Sequence, residues 1–159
     1  MARVFVGIGS NIDKHIHIPN VLIELKEKFG ELDVSPVYES ESAGFIGENF
    51  HNLVVGLNTA LSPQQMHDYL RELEAMHGRK RLTENQFISR TLDLDQILYD
   101  DLCFSDERVK VPHNDILKYS FVLKPLVDIA GETIHPVLGK SFQQLWDEFD
   151  KTTTTIKQV

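Results

Sequence analysis

Apolar residues in this chain fall into strand-like and helix-like stretches in the order β-α-β-β-α-β. That order predicts an α+β domain: a ferredoxin-like antiparallel sheet with helices packed on it and additional C-terminal helices. Two Ser-x-x-Gln boxes, at Ser62 and Ser141, mark helix starts, and Gly30 and Gly78 mark helix ends. At 159 residues the chain has room for one core. A single domain is expected over residues 1–151, with the threonine-rich residues 152–159 frayed.

The elements follow in order. Val4-Phe5-Val6-Gly7-Ile8-Gly9 is a short apolar run that reads as a buried strand. Ile18, Val21, Leu22, Leu25 and Phe29 recur at helical spacing. Leu32 to Tyr38 and Leu53 to Leu57 are strand-like, separated by a polar loop over 39–49. Ser62-Pro63-Gln64-Gln65 opens a second helix, with Pro63 at its first position and Met66, Tyr69, Leu70 and Leu73 as its buried stripe. A second polar loop covers 78–89, and Thr91 to Tyr99 forms the next strand. Val109 to Val111 is a short strand. Phe121 to Ile129 reads as helix with Pro125 near its beginning, and Phe142, Leu145, Trp146 and Phe149 line the last helix. Two long loops in so small a domain commonly cover a site.

The net charge of −8 argues against a general nucleic-acid partner, which calls for a basic surface. No apolar run approaches a membrane span. A lone cysteine, Cys103, forms no internal disulfide, so the cytoplasm is the expected compartment; a monomer is expected as well. Gly7-Ile8-Gly9 resembles a dinucleotide fingerprint but has Ile12 where the third glycine belongs. Gly139-Lys140-Ser141 resembles a P-loop ending but has Ile134 where the first glycine belongs.

Two local signals remain. In Arg90-Thr91-Leu92-Asp93-Leu94-Asp95, side chains two apart on a strand share a face. Asp93 and Asp95 then project together, roughly 6–7 Å apart at Cα. Carboxylates that close repel unless a cation joins them, and Mg²⁺ suits oxygen donors. The second signal is Gly78-Arg79-Lys80-Arg81. Residues 78–90 carry four cations against one acid inside an acidic chain, and guanidinium groups match phosphate oxygens. The seven histidines show no zinc-like spacing with cysteine, and no covalent nucleophile stands out.

Together these residues resemble the 6-hydroxymethyl-7,8-dihydropterin pyrophosphokinase family of folate biosynthesis. The resemblance runs through Gly7 to Asn11, Phe50-His51-Asn52, Glu74 to Arg81, Arg90 to Asp95, Val111-Pro112-His113 and Phe121 to Ile129. It implies transfer of pyrophosphate from ATP to the pterin's hydroxymethyl group, with release of AMP. It also implies that Asp93 and Asp95 hold two Mg²⁺ ions, and that Arg81 and Arg90 steady the triphosphate and act catalytically. Glu74 and His113, with the two arginines, are implied as nucleotide contacts. Asn52 is implied to read the pterin's amide edge, Phe50 and Phe121 to sandwich its ring, and Ser42, Ala43, Gly44 and Phe45 to wall it.

The sequence departs from the family pattern in several places. Ile88-Ser89 replaces the usual Gly-Pro before the motif arginine, and the loop from Arg81 to Arg90 is about one residue longer. It lacks the usual tryptophan. Gln96 stands where an apolar residue usually follows the second aspartate, Tyr119 replaces an arginine, and Phe50 replaces a tyrosine. These losses bear on loop closure and phosphate contacts. The alternative they suggest is a catalytically degenerate pterin- or nucleotide-binding module.

Overall fold

The computed structural model describes residues 1–41, 48–78, 92–152 and 155–159. Its main sheet is antiparallel, in the order β5-β1-β4-β3-β8, with β2 also paired to β4. The strands are β1 (Ala2–Ser10), β2 (Asp33–Val34), β3 (Tyr38–Ser40), β4 (Phe50–Thr59), β5 (Asp93–Tyr99) and β8 (Ile156–Gln158). A small hairpin pairs β6 (Phe104–Ser105) with β7 (Lys110–Val111). The helices are α1 (Lys14–Phe29), α2 (Pro63–Met76), α3 (Asp115–Lys118), α4 (Ser120–Ala130) and α5 (Phe142–Glu148). The ferredoxin-like core predicted from the periodicities is β1, α1, the β2/β3 edge, β4, α2 and β5.

Alternation along β1 builds two cores. Val4, Val6 and Ile8 face α1 and α2, where Val21, Leu25, Met66 and Leu70 join them in one buried cluster. Phe5 faces the other way, into a second cluster with Val54, Ile97 and residues of α4 and α5. The additional C-terminal helices therefore cover the second face of the sheet.

The start of α2 follows the sequence signal closely. The Ser62 hydroxyl accepts from the Gln65 N–H, and the Gln65 side chain returns the bond to the Ser62 N–H. Helix α1 ends at Gly30, whose positive φ of 85° suits glycine and whose N–H reaches the Lys26 carbonyl.

Three details differ from expectation. The strand expected over 32–38 is two strands, interrupted at Pro36, which has no N–H for a ladder. Pro125 sits in the middle of α4 rather than near its beginning. There Leu123, Leu126, Val127 and Ala130 are buried, and that packing outweighs the lost backbone bond. The tail expected to fray instead contributes β8, which pairs with β3 from Tyr38↔Gln158 to Ser40↔Ile156. Among the described residues no helix is long and apolar enough to cross a membrane.

Candidate active site

The site lies on the sheet face that carries Phe5, beyond the end of the second core. On β1 the residues two and four places past Phe5 are Gly7 and Gly9, so the face loses its side chains there. Register then builds two rows across three strands. Gly9 lies between Asn52 of β4 and Asp93 of β5, and Gly7 lies between Val54 and Asp95. A Cβ on Gly9 would stand 2.9 Å from the Asn52 Oδ1, closer than real Cβ contacts allow. Gly7 and Gly9, which do not complete a dinucleotide motif, thus form a cavity floor. Asn52, Asp93, Asp95, His113 and Phe121 stand around it.

Asn52 is buried, and its Nδ2 donates to the Ser40 hydroxyl at 3.0 Å. Phe50 begins β4 two residues earlier, on the same face. Phe121 is half-buried at the start of α4 and stacks on Tyr119, with ring centroids 4.8 Å apart.

Asp93 and Asp95 are half-buried on one face of β5, as the period of two requires. Burial first, and the neighbouring Asp93 second, push the Asp95 carboxyl up to about 6, against the pull of His113 and Arg71. His113 follows β7, and its N–H donates to the Ile97 carbonyl at 2.9 Å. Its Nδ1 accepts from the Asp115 N–H at 3.1 Å. Donor atoms of Asp95, His113 and Asp115 lie within 4.8 Å of one another, a group able to hold a metal ion. Hard carboxylate oxygens from two chain segments, with the imidazole beside them, fit a divalent cation such as Mg²⁺.

Glu74 is 2% exposed on α2 and lines neither cavity described here. Its Oε2 accepts from the Leu94 N–H at 2.7 Å, and its Oε1 accepts from Arg71 at 2.9 Å. Arg71 also donates to the Leu94 carbonyl at 2.8 Å and reaches Asp95 Oδ1 at 3.4 Å. The pair therefore clamps the backbone between the two aspartates.

A second cavity, of about 260 Å³, opens at the outer edge of β5 between α2 and the β6–β7 hairpin. Arg71, Gln96, Arg108 and Lys110 line it. Asp95 and His113 line both cavities. The structure brings together Asn52, Asp93, Asp95, His113 and Phe121 from among the expected site residues. Ser42, Ala43, Gly44, Phe45, Arg81 and Arg90 lie outside the described residues. Arg71 and Asp115 were not anticipated. The i, i+3 pair Arg71–Glu74 on a helix, and an aspartate two places after His113, were the available signals.

Fold and cleft together define a ferredoxin-like domain with an acidic, glycine-floored site at the edge of its sheet. Residues 5–131 match the model of the 7,8-dihydro-6-hydroxymethylpterin-pyrophosphokinase (HPPK) family. The chain is 35% identical over 150 residues to 2-amino-4-hydroxy-6-hydroxymethyldihydropteridine pyrophosphokinase of Aquifex aeolicus, covering 93% of this chain and 92% of that one. It is 35% identical over 134 residues to the enzyme of the same name from Pseudomonas aeruginosa, covering 82% of each. A solved Plasmodium falciparum HPPK-DHPS chain is similar in fold, with a TM-score of 0.73 at 13% identity. That match covers 92% of this chain and 43% of the longer one. The chain belongs to the 7,8-dihydro-6-hydroxymethylpterin-pyrophosphokinase family.

Proposed function

We propose that this protein transfers the pyrophosphoryl group of ATP to the hydroxymethyl group of 6-hydroxymethyl-7,8-dihydropterin, in folate biosynthesis. Family membership supplies the activity: the chain is a pterin pyrophosphokinase. The hydroxymethyl oxygen attacks the β-phosphorus and gives up its proton to water, the bond from that phosphorus to the α–β bridging oxygen breaks, and AMP leaves with the bridging oxygen.

One observation carries the assignment to particular residues: two cavities of different character share Asp95 and His113. The first has a flat glycine floor, the Asn52 amide and the Phe121 ring, features that suit a planar heterocycle with an amide edge. We assign it to the pterin, with Phe50 on the same strand face and Ser42 to Phe45 as its wall. The second carries Arg71, Arg108 and Lys110, whose donors suit phosphate oxygens, among the carboxylates of Asp95, Asp106 and Glu107. We assign it to the nucleotide, with Arg81 and Arg90 as further triphosphate contacts.

Asp93 and Asp95 are the residues that would hold two Mg²⁺ ions between the cavities. Such ions would supply charge neutralisation for the triphosphate and for the in-line displacement. The chain's own part is positional. Arg71 and Glu74 fix the backbone between the aspartates, and His113 sits where the two substrates meet. Glu74 serves the nucleotide by way of Arg71.

The test is incubation with ATP, Mg²⁺ and the dihydropterin, with chromatography for AMP and the pyrophosphorylated pterin. Product is expected. Asp95→Ala should reduce turnover by about 10³-fold or more with an unchanged far-UV spectrum. Binding of both ligands without product would instead favour a degenerate binding module.

A further inference from the structure

Two histidines that line neither cavity face each other where α1 meets the end of α2. His17 is half-buried near the start of α1, and His77 closes α2 as its C-cap. Their Nδ1 atoms stand 2.7 Å apart, with ring centroids at 5.0 Å. The His77 side chain is 8% exposed, and its Nε2 lies 2.6 Å from the carboxylate of Glu24, further along α1. A carboxylate only accepts, so the neutral His77 ring carries its proton on Nε2 and turns the Nδ1 lone pair toward His17. A metal-ligating imidazole is held in the same way: one nitrogen donates to a carboxylate, which fixes the ring, and the other is left bare. Burial and His77 hold the His17 ring below its usual value, so it is a neutral donor of electron pairs at pH 7.5. Asp13, just before α1, has a left-handed backbone with φ 51°, and its side chain makes no capping bond to the helix. That carboxylate is close enough to act on the His17 ring electrostatically.

We propose that His17 and His77 form a second metal site, sharing no residue with the Asp95–His113–Asp115 group, for a divalent transition ion of the Zn²⁺ class. The two Nδ1 atoms and the Asp13 carboxylate are its protein ligands, and water completes the shell. Imidazole suits such an ion, whereas Mg²⁺ prefers an all-oxygen shell and would not compete. Metal–nitrogen bonds of about 2.0–2.1 Å in a tetrahedral shell set two nitrogens roughly 3.3 Å apart, so the rings part by about 0.6 Å on binding. The proton between the rings moves to the Nε2 of His17, which leaves both imidazoles neutral and both Nδ1 atoms bare. The start of α1 and the end of α2 meet here, so their opposed dipoles offset one another. Asp13 and Glu24 supply the negative charge that favours a cation.

Co²⁺ is the probe, because its visible d–d bands report nitrogen ligation directly. The titration uses Asp95→Asn with Mg²⁺ in excess, so that the aspartate group is both short of a ligand and filled. One equivalent of Co²⁺ should give the bands of a nitrogen-ligated ion, and Zn²⁺ should bleach them by displacement. Zn²⁺ should also raise the thermal midpoint, since the site joins two helices only in the folded chain. Adding His17→Gln or His77→Gln should abolish the bands, and Glu24→Gln should weaken Zn²⁺ binding roughly ten-fold. Far-UV circular dichroism checks that each variant folds, and His17→Gln, at the more exposed ring, decides the matter where His77→Gln does not. A parent protein without bands would leave a plain hydrogen-bonded pair and overturn the proposal, as would bands that survive His17→Gln.

Discussion

At the scale of single residues, the site stores electrostatic tension at Asp95. Its side chain is 29% exposed, Asp93 shares its face, and its carboxyl titrates near 6. At neutral pH the carboxyl is ionised, at a free-energy cost to the folded protein. Asp95→Asn removes that charge. The metal-free variant should be more stable than wild type at pH 7.5 by on the order of 1 kcal/mol, or roughly 3 °C in thermal midpoint for a domain of this size. The difference should shrink at pH 5, where wild-type Asp95 is protonated; a variant that melts below wild type at both pH values contradicts the account. The shared face of Asp93 and Asp95 was legible because a strand's period of two is local. Arg71 and Asp115 were not legible, because their part depends on which elements the fold sets beside β5. Gly7 and Gly9 were legible as small residues after a strand, but their use as a floor appears only once Asn52 and the aspartates flank them.

At the scale of elements, α2 and β5 act as one unit. β5 is an edge strand, and the outward backbone groups of Leu94 pair with side chains of α2 instead of another strand. This protects the edge and sets the height of both aspartates. Glu74→Ala should cost about 3 kcal/mol, since it strips a buried carboxylate from the Leu94 N–H and leaves Arg71 without its main partner. Chemical denaturation measures that cost. ATP affinity should fall with it even in the folded fraction, because Arg71 loses its position. Ser62→Ala removes only the cap of the same helix and should cost about 1 kcal/mol. It should leave ATP affinity unchanged, which separates helix stability from site alignment. The helix starts were readable because capping boxes are local chemistry. The pairing of β8 with β3 was not, since more than a hundred residues separate Ser40 from Ile156 and no local signal links them.

At the scale of the whole molecule, opposing titrations set the response to acid. Burial holds His17, His51 and His135 below the usual imidazole value of 6.5. His77 adds to this at His17 against the counter-pull of Asp13, and Lys14 adds to it at His51 against Glu39. The His17 and His77 Nδ1 atoms are 2.7 Å apart, a contact that accommodates a single proton. The His77 Nε2 lies 2.6 Å from Glu24. Protonating both rings would set two cations against each other at the join of α1 and α2. A lowered histidine binds more protons unfolded than folded, so its stabilising contribution is present above pH 6.5 and is lost as pH falls through the folded value. Asp95 has the opposite sign. Its raised value means that the folded state holds the extra proton between about 6 and the ordinary 3.8, so its contribution grows as pH falls. Three histidines in different parts of the fold act against one aspartate. The metal-free protein is expected to lose thermal midpoint between pH 7.5 and pH 5.5. Asp95→Asn lacks the compensating arm and should lose more over the same interval, even though it starts higher. Circular-dichroism melts of both proteins at the two pH values decide it: a wild-type midpoint that rises on acidification would show that Asp95, and not the buried histidines, governs the acid limb.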